Sequence, residues 1–336
     1  MGHSRFGLVA LISLCSAAYA DPARQDGGAA PTATGRLMSP QAHAAEVATH
    51  LPFVVHALHE LRIAAAAIKE PPLRSAVEAQ LQAPWLPPEA YVFAHPAETE
   101  KKLHDAGLLA ADAHLVAPAL GAGSISSAPG GTCVTGHHGY PGGLAVHEWA
   151  NLSHARALAK VYKDLYGVDA NDEWLVAGAL WHDIMKAGTL PWTAEGDCPH
   201  AEPQLAGTAL HHPLGLAAAI LRHLPPALIL VIASAHAPPT EQNSAAICGW
   251  LRAASIIATG DEKHAACPAF DANAKRVPLE AFLNNSADID YPLTGGAWSW
   301  YASQTPGGWE RFAALQADGS DLAAFQRAAM SNHDQP

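Results

Sequence analysis

Between residues 41 and 68 apolar side chains return every three or four positions, at Val47, Leu51, Val55, Leu58 and Leu61. That is the period of a helix that buries one face. Ser39-Pro40 is a helix start and Pro71-Pro72 a stop, so one helix is expected over 41–68. Similar spacing predicts helices over 73–81, 98–109, 144–166, 172–186, 205–224, 226–235 and 245–259. Residues 119–143 are rich in Gly, Ser and Thr and read as a loop. Beyond Lys275 the pattern is mixed, broken at Gly295-Gly296 and Pro306-Gly307-Gly308, with Trp298, Trp300 and Trp309 available for packing. No internal repeat is present, and the expected fold class is all-α.

The start of the chain follows other rules. Arg5, an apolar run over 6–18 and the small-x-small motif Ala18-Tyr19-Ala20 form a secretory signal over 1–20. A lipoprotein anchor at Cys15 is disfavoured by Leu14, where a small residue belongs. Residues 21–40, rich in Gly, Ala, Pro and Thr, read as a flexible leader. No later apolar stretch approaches the ~18 residues that span a bilayer, so a soluble, exported and hence secreted or periplasmic protein is expected. In an oxidising compartment Cys133, Cys198, Cys248 and Cys267 form an even set, from which at least one disulfide is expected.

Composition narrows the function classes. Hydrophobic residues make up 49% of the 336, which excludes wholesale disorder. With 31 acidic and 19 basic residues the formal charge is −12, which argues against a nucleic-acid partner. The sequence carries no signal for an oligomeric state. The 20 histidines matter through their placement. His147 falls in one predicted helix, His182-Asp183 in the next, His211-His212 in a third and His236 at the end of a fourth. Imidazole and carboxylate are the usual ligands of divalent transition metals, and one or two on each of several packed helices can close a polar site inside a helical core.

This ordered set resembles the HD-domain phosphohydrolase superfamily, whose pattern is His, His-Asp, often two further His, and a late Asp. The run His137-His138-Gly139-Tyr140-Pro141-Gly142-Gly143-Leu144-Ala145-Val146-His147 is similar to the entry of one subgroup. Leu180-Trp181-His182-Asp183-Ile184-Met185-Lys186 matches its His-Asp-x-x-Lys, and Ala233-Ser234-Ala235-His236 its later Ser-His segment. The resemblance covers roughly residues 136–259. It implies an HD helical bundle over 119–270, extra N-terminal helices over 41–118 and a mixed C-terminal segment over 271–336. It also implies one or two divalent metal ions (Fe, Mn or Zn) held by His147, His182, Asp183, His211, His212 and His236. Asp183 and Lys186 take catalytic roles, and the substrate is a small-molecule phosphate ester, monoester or diester, or a nucleotide.

The family's last Asp aligns with Ser255. Asp261 lies six residues on, about 600° of helical rotation away. Either the helix ends early and Asp261 swings in, or the site has lost a carboxylate. His211 and His212 sit about 100° apart on a helix, so one of them is expected to face the centre. His154, on the face of His147, is expected in the core or behind the ligands. His137, His138 and His200 are expected at the surface of loops, Arg222 and Arg252 on solvated faces, and Trp149, Trp174 and Trp181 in the core. Two other readings stay open: a di-iron oxygenase acting on a small polar substrate, and a non-catalytic binding module.

Overall fold

The computed structural model describes residues 39–115, 123–132, 137–193, 201–267 and 277–288. The expected signal segment, nearly all of the leader, His200, Cys133, Cys198 and the three late tryptophans lie outside them. Helices dominate, and the fold is all-α. In chain order they are α1 (Pro40–Thr49), α2 (Pro52–Ala66), α3 (Pro71–Gln82), α4 (Tyr91–Ala94), α5 (Pro96–Asp105), α6 (Gly143–Tyr166), α7 (Asp172–His182) and α8 (Lys186–Thr189). A two-residue-per-strand hairpin, β1 (Gln204–Leu205) and β2 (Thr208–Ala209), precedes α9 (His211–Leu221), α10 (Pro226–Ala233), α11 (Ser244–Thr259) and α12 (Leu279–Asp288).

Four elements differ from expectation, each for a local reason. The helix expected over 41–68 breaks in two at Pro52, which has no N–H and whose ring would collide with the carbonyl four residues back. The break changes the phase, so Val54 is buried and Val55 is 47% exposed. The helix expected over 205–224 begins only at His211, because Gln204 pairs with Ala209 and Leu205 with Thr208 across a tight turn at Ala206-Gly207. The helix expected over 172–186 ends at His182, and the chain turns through Asp183 before α8, with Lys186 N donating to Asp183 O at 2.8 Å. Finally, α12 forms inside the segment that reads as mixed.

The core is built around α7. Asn171 Oδ1 caps its start by accepting from the amides of Glu173 and Trp174. From Leu175 to His182 every residue is buried, as befits a helix that is apolar all round. It packs among α2, α3, α6, α9, α10 and α12. Leu180 is 1% exposed, and burial of such a side chain contributes about 1.5–3 kcal/mol. Trp181 Nε1 donates to Gly215 O at 2.9 Å and fastens α7 to α9. One continuous apolar cluster runs from Ala57 in α2 to Ala287 in α12.

Helix α6 is buried over its first half and exposed over its second, where Leu165 is 70% and Tyr166 68% exposed. His154 lies on the exposed part rather than in the core. Seven residues carry it about 10 Å along the axis from His147. Cys248 in α11 is joined to Cys267 by a disulfide, which meets the expectation of at least one. No helix among the described residues is long and apolar enough to cross a membrane.

Candidate metal centre

Three helix ends and one helix face meet beside the C-terminus of α7. Helix α6 supplies His147 and, one turn on at i+4, Asn151. Its start is held tight: a Cβ on Gly143 would lie 1.9 Å from the carbonyl oxygen of His138, so only glycine allows this approach. His182 is the last residue of α7 and Asp183 caps it. His211 and His212 open α9, His236 follows α10, and Asp288 ends α12.

Donor atoms of His147, His182 and Asp288 lie within 4.8 Å of one another, and Asp183 Oδ2 borders the two histidines. His147 Nε2 lies 3.3 Å from His182 Nε2, 3.0 Å from Asp183 Oδ2 and 3.3 Å from Asp288 Oδ1. His182 Nε2 lies 3.6 Å from Asp183 Oδ2 and 3.4 Å from Asp288 Oδ1. Ligands about 2.0–2.2 Å from a common tetrahedral or octahedral cation stand about 2.8–3.6 Å apart, so these side chains fit a metal ion. Asn151 Nδ2 borders the same point, 3.1 Å from His147 Nε2 and from Asp288 Oδ1 and 3.2 Å from His182 Nε2.

The other oxygen of Asp183 faces a second group. Oδ1 lies 2.9 Å from His211 Nε2 and 3.2 Å from His236 Nε2. One carboxylate therefore spans both groups, the arrangement of a ligand that bridges two cations.

Hydrogen bonds behind the rings set their tautomers. Nδ1 of His182 donates to Ala179 O at 2.8 Å, and Nδ1 of His211 donates to Glu202 Oε2 at 2.6 Å. In the neutral ring each leaves the Nε2 lone pair facing inward, as a metal ligand requires. His212 is turned elsewhere: its Nε2 donates to Ala233 O at 3.2 Å, and its ring stacks on His236 at 4.2 Å and meets the edge of Trp250 at 5.0 Å.

The site is electrostatically tense. Lys186, buried, donates to Asp183 Oδ2 and to Gly130 O, the latter at 2.7 Å. Burial alone would lower its pKa, but the Asp183 carboxylate outweighs that and raises it. Burial likewise opposes the charge on Asp183, yet Lys186, His182 and His211 hold its carboxyl well below the usual range. Buried Glu148, 3.4 Å from His182 Nδ1, is pushed up to about 7 by desolvation. Desolvation also works against a charged His182 and His211, but the surrounding carboxylates win and raise them to about 10 and about 9.

Of the residues singled out from the sequence, His147, His182, Asp183, Lys186, His211 and His236 are brought together, and His212 supports His236 from behind. Asp261 is not. Helix α11 stops at Gly260, whose φ of +79° turns the chain away, and Asp261 pairs with Lys263 Nζ at 2.7 Å on the surface. Ser255 Oγ donates to the Asp261 carbonyl and is likewise away from the cluster. The late carboxylate comes from Asp288 instead. His137 and His138 are not on the surface of a loop. They pack against His147, with ring centroids at 4.5 and 5.6 Å, and burial lowers both pKa values, that of His138 to about 3. Asp288, Asn151, Glu148 and Glu202 were not singled out from the sequence. For Asn151 the i+4 spacing from His147 was available, and for Asp288 the polar run Asn284, Asn285, Asp288 on one helical face.

No family model matches the chain, and no solved structure matches it. The chain is similar to the dihydroneopterin 2',3'-cyclic phosphate phosphodiesterase of Methanocaldococcus jannaschii, 33% identical over 123 residues. That stretch is 36% of this chain and 47% of the relative, so the chain spans about half the length of the curated relative it matches.

Proposed function

We propose that this protein is a metal-dependent hydrolase of HD type that cleaves a small-molecule phosphate ester, with a cyclic phosphodiester as the first substrate to try. The observation that carries the proposal is Asp183, whose two oxygens face His147 and His182 on one side, the pair that Asp288 also meets, and His211 and His236 on the other. The similarity to a cyclic phosphate phosphodiesterase supports a phosphate ester over other substrates. The cations, one or two of Fe, Mn or Zn, would be held by these residues. A bound divalent cation lowers the pKa of a water and polarises a phosphoryl oxygen.

The chain's own residues supply the rest. His182 and His211 keep their outward nitrogens protonated by donating to Ala179 O and Glu202, which holds their inward lone pairs in place. Lys186 keeps Asp183 ionised and adds positive charge where a phosphate anion arrives. The apolar shell of α7, α9 and α10 excludes water, which strengthens every one of these charge interactions. Export by way of residues 1–20 belongs to the same proposal, and N-terminal sequencing near Asp21 tests it.

The test is metal analysis of protein purified without chelators, followed by assays on phosphomonoesters, linear phosphodiesters and 2',3'-cyclic phosphates. Metal-dependent cleavage of at least one class is expected. Metal-loaded protein that cleaves none of them but consumes oxygen would overturn the proposal in favour of di-iron oxygenase chemistry. Tight ligand binding without turnover would favour a binding module.

A further inference from the structure

The two halves of the site are unequally built. Around the first point His147, His182 and Asp288 converge with Asp183 beside the two histidines, and these side chains are 0–7% exposed. At the second, Asp183 Oδ1 is met by two histidines, and the His236 side chain is 20% exposed. His236 also sits beyond the end of α10, without a helix to fix its backbone.

His211 is the better anchored of the pair, and Glu202 anchors it. Oε1 of Glu202 accepts from the His211 backbone N–H and Oε2 from the His211 ring, both at 2.6 Å. The first bond satisfies an amide that α9 leaves without an intrahelical partner at its N-terminus. The second fixes the tautomer and the ring plane. One carboxylate thus sets both the start of the helix and the direction of the ring it carries. Its side chain is 6% exposed, so water does not compete for these bonds.

We infer that Glu202 is the positioning residue of the second cation position, and that this position is the weaker and exchangeable one of the two. The inference rests on the metal-dependent hydrolase reading. A carboxylate behind a metal-bound histidine raises its basicity and holds its orientation, and losing such a partner costs about 10–100-fold in metal affinity. In Glu202→Gln the charge is gone. One amide cannot accept from two N–H groups in the way two carboxylate oxygens do, so the backbone bond or the ring bond is lost.

The experiment is equilibrium dialysis of the wild type, Glu202→Gln and Glu202→Asp against graded Mn²⁺, with metal per chain and circular dichroism measured at each step. The wild type is expected to fill in two separable steps, the second at higher free metal. Glu202→Gln should keep the first step and shift the second by about 10–100-fold. Glu202→Asp keeps the charge with a shorter reach, should shift the second step less, and decides the matter if the glutamine variant does not fold. A merely structural role would weaken both steps together. Equal loss at both steps, or an unshifted second step in a folded variant, overturns the inference, as does a wild type that binds one cation. A wild type that fills in two steps but cleaves no phosphate ester overturns the hydrolase reading and leaves the Glu202 inference to be decided by the shift.

Discussion

Two aspartate–lysine pairs, Asp183 with Lys186 and Asp261 with Lys263, carry the same charges in opposite surroundings. In the first the side chains are 2% and 8% exposed, in the second 40% and 82%. Water can replace either partner of the outer pair at little cost, and salt screens it. The inner pair has no such substitute. Breaking a buried pair by removing one partner leaves an uncompensated charge, and this chain gathers further charged and titratable groups around that pair. A buried cluster of this kind is costly unless something else, such as a cation, completes it.

The largest effect is therefore expected at Asp183. Asp183→Asn should keep the helical circular dichroism, lose at least one metal per chain and bring turnover below detection, because no neutral side chain of that size holds two cations together. An active, fully metallated variant would show that the inner pair is no different in kind from the outer one. Next comes Asp288→Asn, expected to empty the first position while leaving cation binding beside His211 and His236, as metal analysis reports.

Lys186→Met sharpens the contrast by removing the cation instead. In metal-stripped protein it should destabilise by about 3–5 kcal/mol in denaturant titration, because Asp183 then keeps a buried charge without its main partner. Loading with metal should recover much of that loss. An equal loss with and without metal would mean that cations do not compensate Asp183.

Protons should do the same work more weakly. In the folded, metal-stripped chain His182 and His211 are raised to about 10 and about 9, from 6.5 in the unfolded chain. Between pH 6.5 and 9–10 these two rings hold more protons in the folded state, so their contribution to stability is full below 6.5 and is lost as pH rises. The Tm of stripped protein should drop across this window, whereas in loaded protein cations replace those protons and the drop should vanish. A stripped protein whose Tm rises from pH 6.5 to 9 would contradict the buried charge balance. The smallest effect belongs to the outer pair: Asp261→Asn should leave metal content, activity and Tm unchanged within error.

Much of this was legible in the sequence. Helices α6, α10 and α11 follow the expected ranges closely, and the spacing of His147, His182-Asp183, His211 and His236 fits a site assembled from separate helices. What escaped depends on contacts distant in sequence. Pro52 breaks a helix whose periodicity runs through it, and the hairpin at 204–209 hides inside an apolar stretch that continues into α9. Asp288 escaped because α12 lies inside a segment of mixed pattern, and only packing against α6 and α7 carries it to His147. Asp261 had the expected position in the chain order but not the direction, since the left-handed turn at Gly260 sends it to the surface, where it pairs with Lys263. Glu202 has no sequence signature at all, since its role exists only through the two bonds to His211.

The burial of α7 on every side has a further consequence, in the time domain. Amide hydrogens of residues 175–182 have no local route to solvent, so they exchange only when the whole core opens. The outer half of α6, carrying Leu165 and Tyr166 into solvent, can fray on its own and exchange fast. A single hydrogen-exchange map therefore contains both clocks: α7 reports the global stability of the fold, and the tail of α6 the local fluctuations.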